Sequence, residues 1–357
     1  MKIIHVTYHL NINGVNSFLM NFLRHYDGSN KEVIFLTYLD GEYDYEDEVK
    51  SLGARIIRID EPANRKRVQH IQQLREVFEN ERPDVVHCHT YFDAANVMYA
   101  AKKAGVRVRV THSHTTQRFK PIKQLLHKCV SANVIRRNST HCLACSLDAG
   151  KALFGKGKFT VIPNGFDVSE FAYNEPARKI VRKEIGANEH DIIIGHTGKM
   201  RPEKNHLFMI DTLRKLLAES DNYKLVFVGS GELCDRIIDR VHSYGLEKNV
   251  VLLNDRKDVS RILNAFDVFI MPSSYEGLSL SLVEAEINGL SAVISDTIPR
   301  EAIIKKVTRL QVKNNADEWA TTIRKLSLDR EFPKKDRINY YSAKNMVKKI
   351  RAVYEDF

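Results

Sequence analysis

The stretch "DVFIMPSSYEGLSLSLVEAEING", residues 267–289, predicts a strand, a loop and a helix in direct succession. Its first part is an apolar run that ends at Pro272, and its second part is a helix-length segment that ends near Gly289. The loop between them carries Glu276, and the predicted helix carries Glu284. A buried strand that leads into a helix through a short loop is the repeating unit of a parallel α/β sheet.

The same alternation of apolar runs and amphipathic segments continues on both sides of this stretch. Strands are predicted at 2–8, 32–38, 54–60, 84–90, 106–114, 141–146 and 159–164, and again at 191–199, 223–231, 249–255, 267–274 and 290–296. Helices are predicted between them, for example at 66–81, 93–104, 206–219, 231–244, 258–264 and 280–289, with a basic last helix at about 342–356.

A segment without periodicity, 162–179, separates the two series, and its Pro163, Asn164-Gly165 and Pro176 predict a connection between domains. A chain of 357 residues suits two domains, because a single core rarely grows beyond roughly 250–300 residues. We predict two Rossmann-like parallel-sheet domains, 1–165 and 166–339, with a C-terminal helix at 340–357 that packs back on the first. The loops after the strands then form the two rims of a central cleft, where ligands bind in open α/β sheets.

The charge balance favours anionic partners. There are 55 basic and 45 acidic residues, which gives a net charge of +10 and a pI near 9.2. Nucleic acid, phosphorylated small molecules and an anionic membrane surface all fit this charge, but no nucleic-acid-binding module is recognisable. No segment approaches the roughly 20 apolar residues that span a bilayer, and the start lacks the layout of a secretion signal. We therefore expect a cytoplasmic protein.

Histidines, cysteines and acids occur in clusters that resemble metal sites only superficially. The pair in "HCLAC", 141–145, has no second pair to complete a zinc site. The alternating histidines of "HCHT", 87–90, and "THSHT", 111–115, are expected to point to opposite faces of their strands and to chelate poorly. The acids of "DYEDE", 44–48, are interpreted as a solvated helix start. No metal site is predicted.

Three predicted loops carry groups suited to an anion. Lys199, Arg201 and Lys204 lie within six residues of one another, where a diphosphate would relieve their repulsion; a solvated basic turn is the alternative. Gly229 lies at a strand-to-helix turn that allows close backbone approach. Gly14 precedes a helix near Val15, where backbone amides can meet an anion, although a plain strand-to-helix turn explains it as well.

The two acids of the opening stretch suit hydroxyl groups. A turn after Glu276 lets its carboxylate and that of Glu284 point into one cleft, and a carboxylate accepts two hydrogen bonds from the vicinal hydroxyls of ribose or a pyranose. The amides of 277–280 lie at the helix start, where phosphate charge is favoured. The alternative is a helix-start Glu276 and a surface Glu284. Glu286 is expected outside the cleft.

These motifs together resemble those of a known family. Glu276 and Glu284 form an E-x7-E element, "GKMRPEKN" (198–205) resembles a phosphate-binding loop, "VIPNGFD" (161–167) an interdomain signature, and "NDRKDV" (254–259) a loop near the nucleotide base. The chain resembles the retaining glycosyltransferases of the GT-B fold, family 4, and among them enzymes of bacterial exopolysaccharide and capsule synthesis. Lys199 occupies a position where the family usually has arginine, so Arg201 is expected to contribute to binding the diphosphate there.

The resemblance implies roles for individual residues. Lys204, Glu276 and His112 are expected to be catalytic, with His112 and Glu276 on the donor sugar. Backbone donors to sugar and phosphate are expected from Gly277, Leu278 and Ser279. Glu284 is expected to hold the ribose hydroxyls. Nucleotide and diphosphate contacts are further expected from Gly14, Lys199, Arg201, Lys204, Gly229, Asn254, Arg256 and Leu280.

The resemblance also implies the reaction. We expect transfer of a hexose or N-acetylhexosamine from a nucleotide-sugar, with UDP favoured over GDP, to a saccharide acceptor that is linked to polyprenyl diphosphate. Configuration is expected to be retained, and no cofactor or metal is expected because Lys199, Lys204 and helix dipoles take the metal's place. The alternatives are a sugar-nucleotide epimerase of the same fold and a binding protein without turnover.

A basic amphipathic segment bears on the acceptor. Cations interleave with apolar residues over 118–137, which fits contact with an anionic membrane surface and a peripheral location on the inner face of the cell membrane. An ordinary amphipathic helix with a solvated face is the alternative.

Overall fold

The computed structural model describes residues 1–27, 31–38, 41–60, 66–115, 122–276, 278–311 and 315–356, with side chains from Cys129 onward in the helix that begins at Ile122. The chain divides into two compact units. The first comprises Met1–Phe166 and Tyr340–Phe357, and the second comprises Asp167–Asn339. Within the described residues, no helix combines the length and the apolar character that crossing a membrane requires.

The first unit, as far as it is described, holds seven parallel strands. They are β1 (Lys2–Val6), β2 (Glu32–Thr37), β3 (Arg55–Arg58), β4 (Val85–Cys88), β5 (Val108–Ser113), β6 (His141–Ala144) and β7 (Thr160–Val161). Their order is β3-β2-β1-β4-β5-β6-β7. The helices are α1 (Gly14–His25), α2 (Glu46–Ser51), α3 (Arg67–Glu81), α4 (Ala94–Lys103), α5 (Ile122–Asn138) and α6 (Leu147–Phe154), and the chain's last helix, α14 (Ala343–Glu355), also belongs here.

The second unit holds six described parallel strands. They are β8 (Ile192–Thr197), β9 (Tyr223–Val228), β10 (Val250–Leu252), β11 (Val268–Met271), β12 (Ser291–Ser295) and β13 (Thr308–Leu310), in the order β10-β9-β8-β11-β12-β13. The helices are α7 (Glu175–Glu184), α8 (His206–Leu217), α9 (Cys234–Tyr244), α10 (Val259–Ile262), α11 (Leu280–Ile287), α12 (Ala316–Arg324) and α13 (Lys335–Tyr340).

Each sheet is buried on both faces, as its near-continuous apolar strands require. In β1, Ile4 and Val6 pack into one core of the first unit, whereas Ile3 packs into the core on the opposite face. Helix α14 contributes Ile350 and Tyr354 to that second core. In the second unit, the fully buried Trp319 ring of α12 meets the Phe208 ring of α8 edge-on at 5.5 Å.

Gly165 explains how the chain meets its last helix. A Cβ atom at Gly165 would lie 2.7 Å from Met346 Cβ and 2.9 Å from Ala343 Cα, so only glycine allows this approach. The backbone beside it forms a parallel bridge between Phe166 and Ser342. These contacts fix α14 against the first unit.

The segment 162–179 contains more structure than the predicted connection. Helix α7 begins inside it, because the Asn174 side chain accepts a hydrogen bond from Ala177 N and Pro176 lies in the first turn. Helices α12 and α13 and the short strand β13, whose three residues are only partly buried, were not predicted from the sequence.

The strand order reverses once in each sheet. The reversal lies between β1 and β4 in the first unit and between β8 and β11 in the second. The carboxyl end of a sheet at such a switch point is where open α/β folds bind their ligands. In the second unit, the loops after β8 and β11 are those that carry Lys204 and Glu276.

Candidate active site

The loops after β8 and β11 are tied together at the switch point of the second unit. Asn205 Nδ2 donates to Pro272 O at 2.6 Å, and Ser274 N donates to Glu203 O at 2.8 Å. Asn205 has a φ of 58°, a left-handed conformation that asparagine adopts more readily than most residues. This backbone arrangement presents the Lys204 side chain to the β11 loop.

Lys204 and Glu276 form an ion pair across these loops. Lys204 Nζ lies 2.5 Å from Glu276 Oε1, and the same oxygen accepts a hydrogen bond from Ser273 Oγ at 2.8 Å. Their side chains are only 17% and 9% exposed. A cation and an acceptor for hydroxyl groups are thus fixed within hydrogen-bonding distance of each other, 72 residues apart in the sequence. Sequence patterns did not single out Ser273, although it lies within the motif.

The loop after β9 packs directly against the loop after β8. Gly229 has a φ of 137°, and a Cβ atom there would lie 2.2 Å from Gly198 O, so a side chain would separate the two loops. Met200 N donates to Ser230 O at 2.8 Å across the same contact. The glycine therefore serves the close approach of two loops at the carboxyl edge.

Lys199 lies on the outer side of this contact and is paired with an acid that the sequence search missed. Its Nζ lies 2.9 Å and 3.0 Å from the two Asp255 carboxylate oxygens, and Ser230 Oγ donates to Asp255 Oδ2 at 2.5 Å. The hydrogen bond from Lys199 is the main reason why the pKa of Asp255 is lowered. Lys199 is 55% exposed, so it is much more accessible than Lys204.

The other predicted cations differ in their pairing. Arg256 Nε and Nη2 each donate to an Asp258 carboxylate oxygen at 2.7 Å, so this guanidinium is occupied by its own loop. Arg201 is exposed and makes no ion pair with the described residues. Asn254 has a φ of 44° and accepts from Gly229 N through its backbone oxygen at 2.7 Å, which joins the β10 loop to the β9 loop.

The start of α11 carries two polar groups that lack protein partners. Ser279 is buried and its Oγ has no hydrogen-bond partner in the described structure. Glu284, in the second turn, keeps a partly exposed side chain and has no partner among the described residues, yet the surrounding protein desolvates it and raises the pKa of its carboxyl to about 7. Leu278 and Leu280 flank Ser279, and Gly277 lies outside the described residues. Polar groups without partners among the described residues, at the ligand-binding edge of a sheet, are available to bind a ligand.

Glu286 has a structural role. It is fully buried, and its carboxylate oxygens accept from Ile304 N at 3.1 Å and Lys305 N at 3.2 Å. Burial raises the pKa of this carboxyl to about 8. Glu286 thus anchors α11 to the turn before β13.

In the first unit, Gly14 is the first residue of α1. Nothing lies within 4 Å of the position that a Cβ atom would occupy, so packing does not demand glycine there. The amides of Val15 and Asn16 are already taken by the Asn13 side chain, at 2.9 and 3.0 Å. Those two helix-start amides are therefore not free for an anion, which limits the site predicted there to the space beside Gly14.

His112 lies within a cluster of five histidines at the switch point of the first unit. It is fully buried, neither ring nitrogen has a hydrogen-bond partner among the described residues, and burial lowers its pKa well below the usual value. Its ring lies 4.2 Å from that of His114, and the His87 and His89 rings are 4.3 Å apart.

The prediction that these alternating histidines point to opposite faces is wrong. Residues two apart in a strand share a face. His89 keeps the strand geometry of β4, because its amide donates to Val6 O at 2.9 Å and so continues the ladder. Among the described residues, the groups of three potential ligands close enough to hold a metal ion are both made of these histidines.

The acids of 44–48 lie at the start of a helix, α2, and two of the four form ion pairs with described residues. Glu46 pairs with Lys50 and Arg58, and Glu48 pairs with Arg24. Within the basic segment 118–137, residues 122–137 belong to α5 (Ile122–Asn138), and 118–121 lie outside the described residues. Most of its cations lie outside the side chains that the structure describes, so contact with a membrane stays a prediction.

Comparison with known proteins identifies the family. The family model described as "Glycosyl transferases group 1" matches residues 177–345, and the model described as "Glycosyltransferase Family 4" matches residues 12–170. EpsF of Bacillus subtilis (strain 168), a protein named as a glycosyltransferase, is 33% identical over 335 residues, and the alignment covers 90% of this chain and 86% of EpsF.

Two further proteins extend the likeness. The UDP-Gal:alpha-D-GlcNAc-diphosphoundecaprenol alpha-1,3-galactosyltransferase of Escherichia coli is 28% identical over 254 residues, with 67% of this chain and 65% of that enzyme covered. The fold of Anabaena Alr3699/HepE, crystallised with UDP, superposes with a TM-score of 0.83 over 100% of both chains at 17% identity. The chain therefore belongs to the glycosyltransferases of family 4, the glycosyl transferases group 1, and has their GT-B fold of two Rossmann-like domains.

Proposed function

We propose that this glycosyltransferase moves a hexose or N-acetylhexosamine from a UDP-sugar to a lipid-linked saccharide acceptor, with retention of anomeric configuration. The observation that carries the proposal is the Lys204–Glu276 pair at the switch point of the second unit. It combines a cation for a departing phosphate with an acceptor for sugar hydroxyls in one largely buried place. The named donor of the Escherichia coli relative and the UDP bound to HepE support the choice of UDP.

Lys204 is the group that offsets the leaving charge. When the anomeric C–O bond breaks, its electron pair leaves with the nucleoside diphosphate, and a fixed cation stabilises the charge that develops there. Lys199 and Arg201, on the same loop, add positive charge further out. These cations and the amides at the start of α11 supply the stabilisation, so the transfer needs no divalent ion at the diphosphate.

Glu284 and Ser279 complete the donor site. Glu284 accepts hydrogen bonds from the ribose hydroxyls, and it is available for them because it has no partner among the described residues. The buried Ser279 hydroxyl, which also lacks a partner, donates to a donor oxygen. Glu276 contacts the transferred sugar, and His112 is a further predicted sugar contact.

The reaction runs by front-face attack. The acceptor oxygen bonds to the anomeric carbon on the face from which the diphosphate leaves, and the acceptor proton passes to the departing phosphate oxygen. No side chain has to serve as a nucleophile in this scheme. The acceptor is linked to polyprenyl diphosphate, in keeping with the diphosphoundecaprenol named for the Escherichia coli relative and with the net charge of +10.

Donor binding and product stereochemistry test the proposal. In a thermal-shift screen, a UDP-sugar at 100 times its dissociation constant should stabilise the fold by roughly 2.7 kcal/mol, whereas GDP-sugars should not. With an α-linked donor, NMR of the product should show an α linkage; a β linkage would overturn the mechanism. Mass spectrometry of the donor incubated without acceptor should show no isomer, since isomer formation would indicate an epimerase instead.

A further inference from the structure

The histidine cluster of the first unit contains a group of three that converge on one point. His5 of β1 and His87 of β4 are direct neighbours in the parallel ladder, and His89 lies on the same face as His87. The His5 ring lies 5.1 Å from that of His87 and 5.4 Å from that of His89. All three side chains are buried.

The hydrogen bonds of the cluster leave ring nitrogens unsatisfied. His5 Nδ1 lies 3.1 Å from His89 Nε2, His89 Nδ1 lies 2.8 Å from His114 Nε2, and His87 Nδ1 lies 2.6 Å from the hydroxyl of Tyr354. In the part of the chain that the structure describes, His5 Nε2 and His87 Nε2 are buried and have no hydrogen-bond partner. Buried polar atoms normally have partners, and an ion bound at His87 Nε2 would supply the one that this nitrogen lacks.

We propose that His5, His87 and His89 bind one transition-metal ion of the Zn²⁺ type. Each histidine offers a ring nitrogen, and the three nitrogens lie within 4.8 Å of one another. In a tetrahedral site with Zn–N bonds of 2.0–2.1 Å, ligand nitrogens are about 3.3 Å apart. The 3.1 Å between His5 Nδ1 and His89 Nε2 is already close to that separation.

The protonation state of the three imidazoles suits metal binding. Burial lowers the pKa of His5 to about 3 and those of His87 and His89 well below the usual value, so all three rings are neutral at pH 7 and have a free lone pair. Neutral imidazole is a good ligand for Zn²⁺, Co²⁺, Ni²⁺ and Cu²⁺.

The surroundings supply the outer contacts that metal-bound histidines have. The Tyr354 hydroxyl holds His87 Nδ1, which leaves His87 Nε2 for the ion, and His114 holds His89 Nδ1, which leaves His89 Nε2. Such second contacts fix the ring orientation and the tautomer of a ligand. Tyr354 comes from α14, so the last helix of the chain orients a ligand on β4.

A second trio, His89, His112 and His114, is also close enough to hold an ion. It would leave His87 Nε2 without a partner, and it would use His112, which is proposed for the donor sugar. The first trio is favoured because it leaves His112 to the donor sugar and because the Tyr354 hydroxyl orients His87. Its ligands include none of the residues proposed for the diphosphate, and its binding can be measured without donor or acceptor.

Metal content tests the proposal directly. Protein without a polyhistidine tag is loaded with Zn²⁺, desalted and measured by inductively coupled plasma mass spectrometry, and about one ion per chain is expected for a preformed site. His87→Gln and His89→Gln should reduce this to background. His190→Gln, an exposed histidine of the second unit, is the matched control and should retain the ion, as should His112→Gln.

Co²⁺ provides a spectroscopic readout, and Tyr354→Phe provides a variant with a smaller expected effect. Bound Co²⁺ should give visible d–d bands in the wild type that are absent in His87→Gln. Tyr354→Phe should keep the bands but weaken Co²⁺ affinity about 10–100-fold, because it removes an outer contact only. Bands that disappear in His112→Gln and persist in His87→Gln would assign the ion to the second trio and overturn the proposal.

The wild type alone tests for a histidine-bound ion if the variants fail to fold. X-ray absorption at the Zn edge should show nitrogen scatterers at about 2.0–2.1 Å with the outer scattering of imidazole. A wild-type protein that retains less than about 0.1 ion per chain after loading, or Zn bound by sulfur or by oxygen alone, would rule out the site.

Discussion

The two switch points of the molecule have the same topology and opposite chemistry. In the second unit, the loops after β8 and β11 bring together the charged Lys204 and Glu276. In the first unit, the corresponding edge between β1 and β4 is lined by buried histidines that burial keeps neutral. A parallel sheet thus fixes where a ligand can bind, whereas the residues after its strands decide which part of the ligand is held. The charged edge suits a diphosphate, and the neutral edge suits a sugar or a soft metal ion.

Removing the buried cation should give the largest effect. Lys204→Ala should lower the turnover of a UDP-sugar about 10²–10³-fold, because a fixed charge at the leaving group acts mainly in the transition state. Release of UDP at saturating donor measures this change. The melting temperature should be recorded with it, since Glu276 is left without its cation.

The effect of losing Lys204 can be compared with the effects of losing two other lysines of the second unit, Lys199 and Lys215. Lys199→Ala should lower turnover far less, because this side chain is 55% exposed and already paired with Asp255. Lys215→Ala, on α8 and paired with Asp317, should leave turnover unchanged. Equal losses in Lys204→Ala and Lys199→Ala would contradict the distinction between a buried catalytic cation and an outer one.

A substitution at His112 tests whether the neutral edge of the first unit binds the sugar. His112→Gln should lower kcat/KM for the UDP-sugar about 10–100-fold through a lost sugar contact, while the affinity for UDP alone stays at the wild-type value. Transfer kinetics and calorimetry with UDP provide the two readouts. His25→Gln, also in the first unit, is the control. A weaker affinity of His112→Gln for UDP would show that the first unit also contacts the nucleotide.

Glu284 should couple donor binding to pH-dependent stability. Burial raises the pKa of its carboxyl to about 7 from a value near 4.3 in an unfolded chain. The folded state therefore binds the proton more tightly, so the stabilisation is complete below about pH 4 and is lost as the pH rises through 7. Glu284→Gln should melt at a higher temperature than the wild type at pH 8 and at the same temperature at pH 4.

The same substitution should weaken UDP binding by about 10-fold or more, because the ribose hydroxyls lose a charged acceptor. Glu286→Gln is the matched control on the same helix. Glu286 is also a buried carboxyl with a raised pKa, but it accepts from the backbone at Ile304 and Lys305. UDP affinity should be unchanged in Glu286→Gln, and a loss there would point to an indirect effect of the fold on binding.

The fold could be predicted where the sequence pattern is local. The strand predicted at 84–90 is β4 in the structure, because an apolar run between turns leaves few alternatives. Helix α7 was missed because Pro176 was interpreted as a break, whereas proline in a first turn after an asparagine cap begins a helix. Strand β13 was missed because three partly buried residues carry almost no periodic signal.

The sequence predicts which loops carry the site residues, but not which side chains those residues pair with. The topology places Lys204 and Glu276 at one edge, and the spacing of the motif indicates both. That Lys199 faces Asp255, 56 residues away, depends on how the two loops pack, and no local pattern carries that information. The prediction for the histidines was wrong for a different reason. Residues two apart in a strand share a face, whereas the prediction placed them on opposite faces.

The outer ion pair should give the smallest effect. Asp255→Asn frees Lys199 from a contact that competes with the donor diphosphate, so the KM for the UDP-sugar should fall. An exposed pair contributes about 0–1 kcal/mol, which limits the change to roughly fivefold. The gain should be visible at low ionic strength and vanish at high salt, because exposed charges are screened. Donor kinetics across a salt series measure it, with Asp317→Asn, which removes the exposed partner of Lys215, as the control. A KM that rises instead would mean that Asp255 itself positions Lys199 for the diphosphate.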